Sequence, residues 1–522
     1  MLITRRRLLG GIASSALAAP FIGCAPRHDA PTFASDPFTL GVASGDPDAS
    51  SVVLWTRLAP EPLQADGGMP AITVPVEWEV ATDEGMKQIV RRGAVDARPE
   101  EAHSLHVVVD GLQPERHYWY RFLTKNAQSR VGRTRTMPAA ASLPLRFRLA
   151  VGGCQRIEQG YHTAWGDIAK SDLDLVYHYG DYIYEYAIQK AVIDARMGRS
   201  VPAEVLGRIE SLAEFRLRYA LYKLDPDLAA AHAAHPFVHS FDDHELSNDW
   251  GGDHSGSVEM SAAAFMNLRA AAFQAFYENA PVRPSVRPFG PHIRMFRSIQ
   301  AGSLLRLAVL DTRQYRSLPA CGRARVQQCD ERFAADRHMI GREQEAWLFN
   351  LFDRRDTSWT VLGNQVMMMR LRYKEPDQDI VDTDKWDGNA AARQRLLQAA
   401  KDRKVSGLVA VTGDIHRSFA GNLKLDYDKP NLEDLPVGVE FVATSISSAG
   451  DGKPEADVSE RIRKANPHIR YYDGRRGYLL CNFNKQRCEA QFRAVDYVSK
   501  PGAPTTTITT WIADATNQGL FV

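Results

Sequence analysis

The chain has 522 residues, 44% of them apolar, and its 64 basic and 63 acidic residues give a formal charge of +1. This length predicts two or three domains, and the apolar fraction is sufficient for large cores. The near-neutral charge excludes a surface built mainly to bind nucleic acid or an anionic membrane.

The N-terminus has the pattern of an export signal. Arg5, Arg6 and Arg7 precede a short apolar stretch that ends at Cys24. A basic segment before a short apolar one is typical of a signal peptide, and the paired arginines resemble a twin-arginine signal, whose export machinery would be a partner. We expect either lipidation of Cys24 or ordinary cleavage near residues 16–18. Residues 1–36 are thus predicted to be signal and linker of a periplasmic or extracellular protein, free or anchored as a lipoprotein.

Residues 37–138 are predicted to form a small β-sandwich domain. Alternating apolar residues mark strands at 51–56, 76–80 and 103–109, and short alternating strands separated by turns are typical of sandwiches. Residues 111–114 and 118–121 resemble the tyrosine-corner segment of fibronectin type III-like domains. We interpret His103 and His106 as sheet residues and not as metal ligands.

Residues 145–522 are predicted to form an α/β layered domain after a linker at residues 138–144. Apolar strands are predicted at 147–151, 173–179, 237–241, 304–310, 359–362, 408–411 and 439–444. Helices are predicted at 211–223, 262–277, 341–352 and 391–403. Nearly continuous apolar strands covered by helices are characteristic of this class. The stretch from 186 to about 230 has little strand character, and we expect it to cap one edge of the site.

Polar side chains follow five of these predicted strands. The residues at the strand ends are Cys154, Gln155, Asp181, Tyr182, Tyr184, Asp242, Asp243, His244, Glu245, Asn364, Gln365, Asp414 and His416. Each has an ordinary structural interpretation when taken singly, such as a buried thiol or a helix-start carboxylate. Because open α/β sheets bind ligands beyond the carboxyl ends of their strands, the repetition predicts one shared site.

The chemistry of these side chains predicts two metals. Thiolate, phenolate and imidazole suit a transition metal such as iron, whereas carboxylate and amide oxygens suit Ca²⁺, Mg²⁺ or Mn²⁺. Asp181 lies between the two sets in this scheme and could bridge them. Two metals about 3.5–4 Å apart serve in-line attack on a phosphate group.

If Cys24 is lipidated or removed, the other five cysteines divide into two pairs and one single residue. Cys321 and Cys329 lie in a polar loop, and Cys481 and Cys488 bracket a plausible hairpin. Both pairs could form disulfides in an oxidising compartment. Cys154 is left over, and an unpaired thiol in an exported protein is either inert or chemically used.

At this point the motifs resemble those of the alkaline phosphatase D family of secreted metallophosphatases, from about residue 37 to the C-terminus. The matching segments are residues 40–47, 53–57, 180–185, 242–245, 311–315, 386–388 and 412–416. The resemblance implies a calcineurin-like αββα sandwich, preceded by the fibronectin type III-like domain, with a site for Fe³⁺ and Ca²⁺. Manganese, zinc or magnesium would also be compatible with these residue types.

The resemblance also implies a role for each matching residue. Iron would be held by Cys154, Asp181, Tyr184 and His416, and calcium by Asp181 as the bridge with Asp243 and Asp414. His244 matches a histidine that related enzymes place near the leaving group. Two departures from the wider metallophosphatase pattern agree with this placement, since a thiol stands at 154 and an acid at 243.

The expected activity is hydrolysis of phosphate mono- or diesters by a metal-activated hydroxide, with Asp181 and His244 as catalytic residues and no covalent phospho-enzyme. One alternative is a phospholipase D-like or wall-polymer phosphodiesterase, which these motifs do not separate from a monoesterase. Another is a non-catalytic surface-binding protein, suggested by the sandwich domain. A third is a thiol-dependent hydrolase with Cys154 as nucleophile, although no base adjoins it in sequence.

Overall fold

The computed structural model describes residues 31–256, 258–322, 325–327, 329–373, 380–429, 435–516 and 519–521. The predicted export signal and Cys24 lie outside the described residues. Within the ranges given, no helix is both long enough and apolar enough to span a membrane.

Strands account for most of the regular structure. They are β1 (Val42–Gly45), β2 (Val52–Arg57), β3 (Val74–Ala81), β4 (Ile89–Ala97), β5 (Ser104–Val109), β6 (His117–Leu123), β7 (Gly132–Arg135), β8 (Phe147–Gly152), β9 (Leu175–His178), β10 (Pro236–His239), β11 (Arg297–Ala301), β12 (Leu305–Val309), β13 (Arg325–Gln327), β14 (Trp359–Gly363), β15 (Ile380–Asp382), β16 (Leu408–Thr412), β17 (Ser418–Leu423), β18 (Gly438–Val442), β19 (Ile469–Asp473), β20 (Gly477–Phe483), β21 (Arg487–Val495), β22 (Thr505–Asp514) and β23 (Leu520–Phe521).

The α-helices lie mainly between the strands of the larger, C-terminal part. They are α1 (Thr163–Lys170), α2 (Lys190–Met197), α3 (Leu212–Lys223), α4 (Pro226–Ala234), α5 (Ala262–Asn279), α6 (Gly341–Phe352), α7 (Ala390–Asp402) and α8 (Ala456–Ala465).

Two large sheets pack face to face. The first has the order β23-β22-β21-β20-β8-β9-β10-β1-β2-β5, and the second has the order β11-β12-β14-β16-β18-β17-β19. Leu149 and Tyr177 of the first sheet share one buried cluster with Leu307, Val361 and Val409 of the second. Strands buried on both faces need apolar side chains at nearly every position, which is the pattern of the sequence.

Helices cover the outer face of each sheet. Phe215 of α3 and Phe276 of α5 belong to the core outside the first sheet, and Leu348 of α6 and Leu396 of α7 belong to the core outside the second. The layers are therefore helix, sheet, sheet and helix, which confirms the predicted αββα fold. The stretch from 186 to about 230, predicted to lack strands, contains α2, α3 and most of α4.

A smaller sheet, β4-β3-β6-β7, completes the predicted N-terminal sandwich. Val76 and Tyr120 of this sheet pack against Val52 of β2 in one buried cluster. The backbone N–H of Gln113 donates a hydrogen bond to the Tyr118 hydroxyl at 2.8 Å, the contact expected of a tyrosine corner.

The two parts of the chain share a sheet. β1 pairs in parallel with β10 of the larger part and antiparallel with β2, so one face of the sandwich continues the first large sheet. The predicted domain bounds, 37–138 and 145–522, stay a prediction.

One of the two expected cysteine pairs forms a disulfide. Cys321 and Cys329 are bonded, whereas Cys481 and Cys488 are free and buried. In the β20–β21 register Cys481 stands opposite Ala490 and Cys488 opposite Phe483. The two thiols are therefore diagonal to each other and not directly paired, a difference from the expectation based on spacing.

Candidate metal centre

The side chains predicted from the strand ends meet at one edge of the sandwich. Cys154 follows β8, Asp181 and Tyr184 follow β9, Asp243 and His244 follow β10, and Asp414 and His416 follow β16. β8, β9 and β10 are parallel neighbours in the first sheet, and β14 and β16 are parallel in the second. The carboxyl ends of both sets therefore face the same crevice.

Four of these residues have an unusual backbone conformation. Cys154, Asp181, Asp414 and His416 have φ values of 50°, 56°, 67° and 56°. Non-glycine residues rarely adopt left-handed geometry, and such strain persists only where the surrounding structure enforces it, most often at functional sites. The local folding thus directs these side chains into the crevice at an energetic cost.

We call Cys154, Tyr184 and His416 the cysteine half of the centre. The Cys154 thiol donates to Asp181 Oδ2 at 3.2 Å, and the Tyr184 hydroxyl donates to the same oxygen at 2.8 Å. Tyr184 Oη also lies 3.4 Å from His416 Nε2. Ser448 donates to Tyr184 Oη at 2.7 Å, so hydrogen bonds link the whole half to Asp181.

We call Asp242, Asp243 and Asp414 the carboxylate half. Single oxygens of these three side chains all lie within 4.8 Å of one another. Arg313 Nε donates to Asp242 Oδ1 at 2.5 Å, and Lys385 Nζ contacts Asp414. Asp242 was named among the strand-end residues but was not assigned a role, and its Oδ2 is buried without a hydrogen-bond partner.

Asp181 connects the two halves. It forms one close group with Cys154 and His416 and a second with Asp243 and His244, each with ligand atoms within 4.8 Å. The structure therefore brings together all six predicted metal ligands, Tyr184 through its contacts with Asp181 and His416. Their roles as ligands stay a proposal.

The protonation states in this cluster fit a site for cations. Burial and the Asp181 carboxylate raise the pKa of the Cys154 thiol and of the Tyr184 hydroxyl well above their usual values. Burial, with Arg476 nearby, lowers the pKa of His416 to about 3, which keeps its ring neutral. Neutral imidazole binds metals directly, and a cation would replace the thiol and phenol protons.

The donor types fit two different cations. A thiol, a phenol and an imidazole around one carboxylate suit a transition metal, and three further carboxylates suit a hard divalent ion. Burying several carboxylates together is costly without compensating positive charge. Metal ions are often the largest local charges in such sites, so the cluster has the chemistry of a two-metal centre.

His244 lies above the cysteine half. Its ring stacks on Tyr184 with centroids 4.2 Å apart, and its Nδ1 lies 2.8 Å from Glu185 Oε2. Burial alone would lower the pKa of His244, but the carboxylates of Asp243 and Asp181 outweigh it and raise that pKa well above its usual value. Glu185 lies in the matching segment 180–185 but was given no role from the sequence, and it fixes the orientation of this ring.

Glu245 holds the loops that carry the candidate ligands. Its carboxylate accepts hydrogen bonds from the backbone N–H groups of Asp181 at 3.0 Å, Tyr182 at 2.7 Å and Asp242 at 2.9 Å. It is 3% exposed and ties the loop after β9 to the loop after β10. The acidic run at 242–245 therefore combines a candidate ligand with a positioning residue.

The remaining strand-end residues have structural contacts. Gln365 accepts from the Thr312 hydroxyl at 2.8 Å and donates to Ser240 Oγ at 3.1 Å, which links the two sheets. Asn364 donates to the Val366 carbonyl at 2.6 Å, and the Gln155 amide donates to the Tyr182 carbonyl at 2.9 Å. The sequence pattern alone does not separate these amides from ligands.

Arg313 is a central residue of this cluster that was given no role from the sequence. It is 0% exposed, and besides Asp242 it lies 3.0 Å from Asp384, 3.7 Å from Asp243 and 3.6 Å from Asp414. The carboxylates, chiefly Asp242, outweigh burial and raise its pKa well above the usual value. Its place in the segment 311–315, after β12, was the available signal.

Comparison with known proteins gives consistent results over almost the whole chain. The family model described as PhoD-like phosphatase matches residues 149–492, and the model for the N-terminal domain of PhoD-like phosphatases matches residues 23–138. Alkaline phosphatase D of Bacillus subtilis (strain 168) is 41% identical over 512 residues, which cover 98% of this chain and 87% of the relative. A solved structure titled "Structure of PhoD" superposes with a TM-score of 0.89 at 42% identity and covers 94% of this chain and 93% of its own.

Proposed function

Because the chain belongs to the PhoD-like phosphatase family, we propose that this metal-dependent phosphatase hydrolyses phosphate mono- and diesters with Fe³⁺ and Ca²⁺ in its candidate centre. The observation that carries the proposal is the overlap of three close ligand groups, two of which share Asp181 and two of which share Asp243. Membership in an enzyme family speaks against the non-catalytic alternative.

The proposed ligands follow the two halves of the centre. Cys154, Tyr184 and His416 would hold the transition metal with Asp181 as the bridge, and Asp243 and Asp414 would hold the calcium. When bound, the two metals supply Lewis acidity for the phosphate oxygens and for the attacking water.

His244 is the proposed general acid. Its Nδ1 is engaged by Glu185, which leaves Nε2 to donate a proton to the leaving oxygen. The Glu185 carboxylate, which is not among the proposed metal ligands, favours the protonated ring, as a proton donor requires. Glu185 would be a positioning residue, since it contacts the imidazole and fixes its plane.

We also propose that the chain is exported, on the basis of Arg5, Arg6 and the apolar stretch that follows. Cys24 would carry a lipid if the anchored form is correct. Labelling cells with a tagged fatty acid tests this, and an unlabelled wild-type protein would argue for ordinary cleavage.

Elemental analysis of natively loaded protein, combined with assays on p-nitrophenyl phosphate and bis-p-nitrophenyl phosphate, tests the reaction. We expect two metals per chain, one of them a transition metal, and turnover of at least one ester. A loaded protein inactive on both esters would contradict the proposal. Direct attack by water also predicts inversion at a chiral phosphorothioate ester, and net retention would instead indicate a covalent intermediate.

A further inference from the structure

A large cleft opens beside the cysteine half of the centre. Its volume is about 1100 Å³, and His416 lines it, so a ligand in the cleft would lie next to the proposed reaction site. Volumes of a few hundred to about 1,000 Å³ are typical of small-molecule sites. Ile415, which also lines the cleft, stands between the candidate ligands Asp414 and His416.

The wall of the cleft is apolar. Phe419 of β17, Tyr472 of β19, Val458 and Ile462 of α8, and Leu371 line it. Phe419 and Tyr472 pack edge to face with ring centroids 5.0 Å apart. These side chains would gain from contact with an apolar group and offer few hydrogen bonds to a polyol.

The charged side chains of the cleft are mostly basic. Arg325, Arg417 and Arg461 line it together with one acid, Glu455. Glu455 is already bound, since Arg417 Nε lies 3.0 Å from it and the Tyr472 hydroxyl donates to it. Arg325 and Arg461 are exposed, so the cleft has an apolar wall and a positive rim, which favours an anion that carries an apolar group.

We propose that this cleft binds an aromatic or acyl arm of the phosphate ester, so that the enzyme prefers esters that carry an apolar group. The inference rests on the proposed hydrolysis at the neighbouring centre and names its substrate class. It favours an amphiphilic ester, such as a phospholipid, over a polyol wall polymer.

Phenylphosphonate and methylphosphonate test the cleft, because each has one arm and neither is hydrolysed. Their binding to the metal-loaded protein can be measured by titration calorimetry. We expect phenylphosphonate to bind at least about tenfold more tightly, since burying a ring in an apolar cleft is favourable. Equal affinities would overturn the inference.

Two substitutions at Val458 test whether the phenyl preference arises in this cleft. Val458 and the control position, Arg463, both lie on α8. Val458→Trp should fill the cleft and lower the phenyl-to-methyl preference about fivefold or more, and Val458→Asp should lower it by placing a charge on the apolar wall. Arg463→Ala is the matched control, because Arg463 is exposed on the same helix and does not line the cleft. A preference unaffected by either Val458 variant would contradict the assignment.

The same preparation separates the two proposals. Turnover of p-nitrophenyl phosphate without a phenyl preference would overturn the cleft inference and leave the proposed reaction standing. A phenyl preference that depends on Val458 in a loaded protein without turnover would support the cleft and contradict the reaction.

Discussion

In the cysteine half of the centre the thiol and the phenol donate hydrogen bonds to the shared Asp181, whereas in the carboxylate half Asp242 and Asp414 are each bound by a cationic side chain. Cys154 and Tyr184 both donate to Asp181, while Asp242 is bound by Arg313 and Asp414 by Lys385. In the first arrangement the thiol and the phenol carry protons that a metal can displace. In the second, buried cationic side chains balance the charge of the carboxylates. A single crevice can therefore present a soft site and a hard site side by side.

The largest expected effect comes from the residue that the two halves share. Asp181→Asn should lower turnover of both esters on the order of 10³-fold or more, because it weakens both proposed metal sites at once. Metal content and turnover are measured together. Asp172→Asn is the control, since that side chain is 60% exposed. Normal activity of the Asp181 variant would remove the residue as a bridge.

Arg313→Met breaks the carboxylate half alone. Removing the buried cation leaves carboxylates uncompensated, and we expect the free energy of unfolding to fall by about 3–5 kcal/mol in chelator-treated protein. Added calcium should recover part of this loss, because a bound cation neutralises the same carboxylates. Urea unfolding measures both effects.

Arg146→Met provides the control for this substitution, since Arg146 is 65% exposed and its surface ion pair should contribute less than about 1 kcal/mol. A similar small loss for Arg313→Met would mean that the carboxylates do not depend on it.

Cys154→Ser breaks the cysteine half alone. A hydroxyl is a poor ligand for a transition metal, so we expect that metal to bind about 10–100-fold more weakly while calcium is retained. Metal analysis after dialysis gives both values. Loss of both metals in equal proportion would show that the halves are not separable.

Tyr184→Phe distinguishes the metals by colour. A phenolate bound to ferric iron absorbs visible light, and the variant should lose that band while the protein remains folded. A loaded wild-type protein with no visible band, or a variant with an unchanged spectrum, would contradict Tyr184 as an iron ligand.

A pH measurement tests a buried histidine, His106, that belongs to neither half of the centre. Burial lowers the pKa of His106 to about 4, below the value of about 6.5 in an unfolded chain. As the pH falls, the unfolded state therefore binds a proton before the folded state does. The contribution of neutral His106 to the free energy of unfolding is fully present above pH 6.5 and is lost as the pH falls towards 4. One such histidine accounts for a loss on the order of 1 kcal/mol at pH 5.5.

His106→Gln should reduce the loss of stability between pH 7.5 and pH 5.5 by about that amount, and urea unfolding at the two values measures it. His106 Nε2 lies 2.9 Å from the Tyr277 carbonyl, which the amide of glutamine could still reach. An unchanged pH dependence would mean that His106 is already charged in the folded protein.

The sequence was most informative where the spacing of apolar residues defined an element and chemically reactive side chains followed it. The helix predicted at 341–352 is α6 within the same bounds, and the strand ends located the candidate ligands because parallel strands share an edge. It was less informative for the C-terminal strands, where it predicted the hairpin between Cys481 and Cys488 that β20 and β21 form, but not β22, which pairs with β21. Only the fold reveals that β20 pairs with β8, the strand that leads to Cys154.

Contacts across long sequence separations were also beyond the sequence. Arg313 follows β12 in the second sheet, yet it binds Asp242 after β10 in the first. Likewise, Glu185 reaches His244 across 59 residues. Judged from its neighbours in the sequence, each is an ordinary charged residue, and only the packing of the two sheets makes it part of the centre.

The parallel pairing of β1 with β10 covers one edge of β10. β10 leads directly to Asp242 and Asp243, and its other neighbour is β9. A chain trimmed to residues 145–522 would leave β10 as a bare edge, and unpaired edges recruit strands from other molecules. The N-terminal sandwich thus covers the edge of the strand that leads to the candidate ligand Asp243. We expect a protein shortened to residues 145–522 to expose that edge and to aggregate.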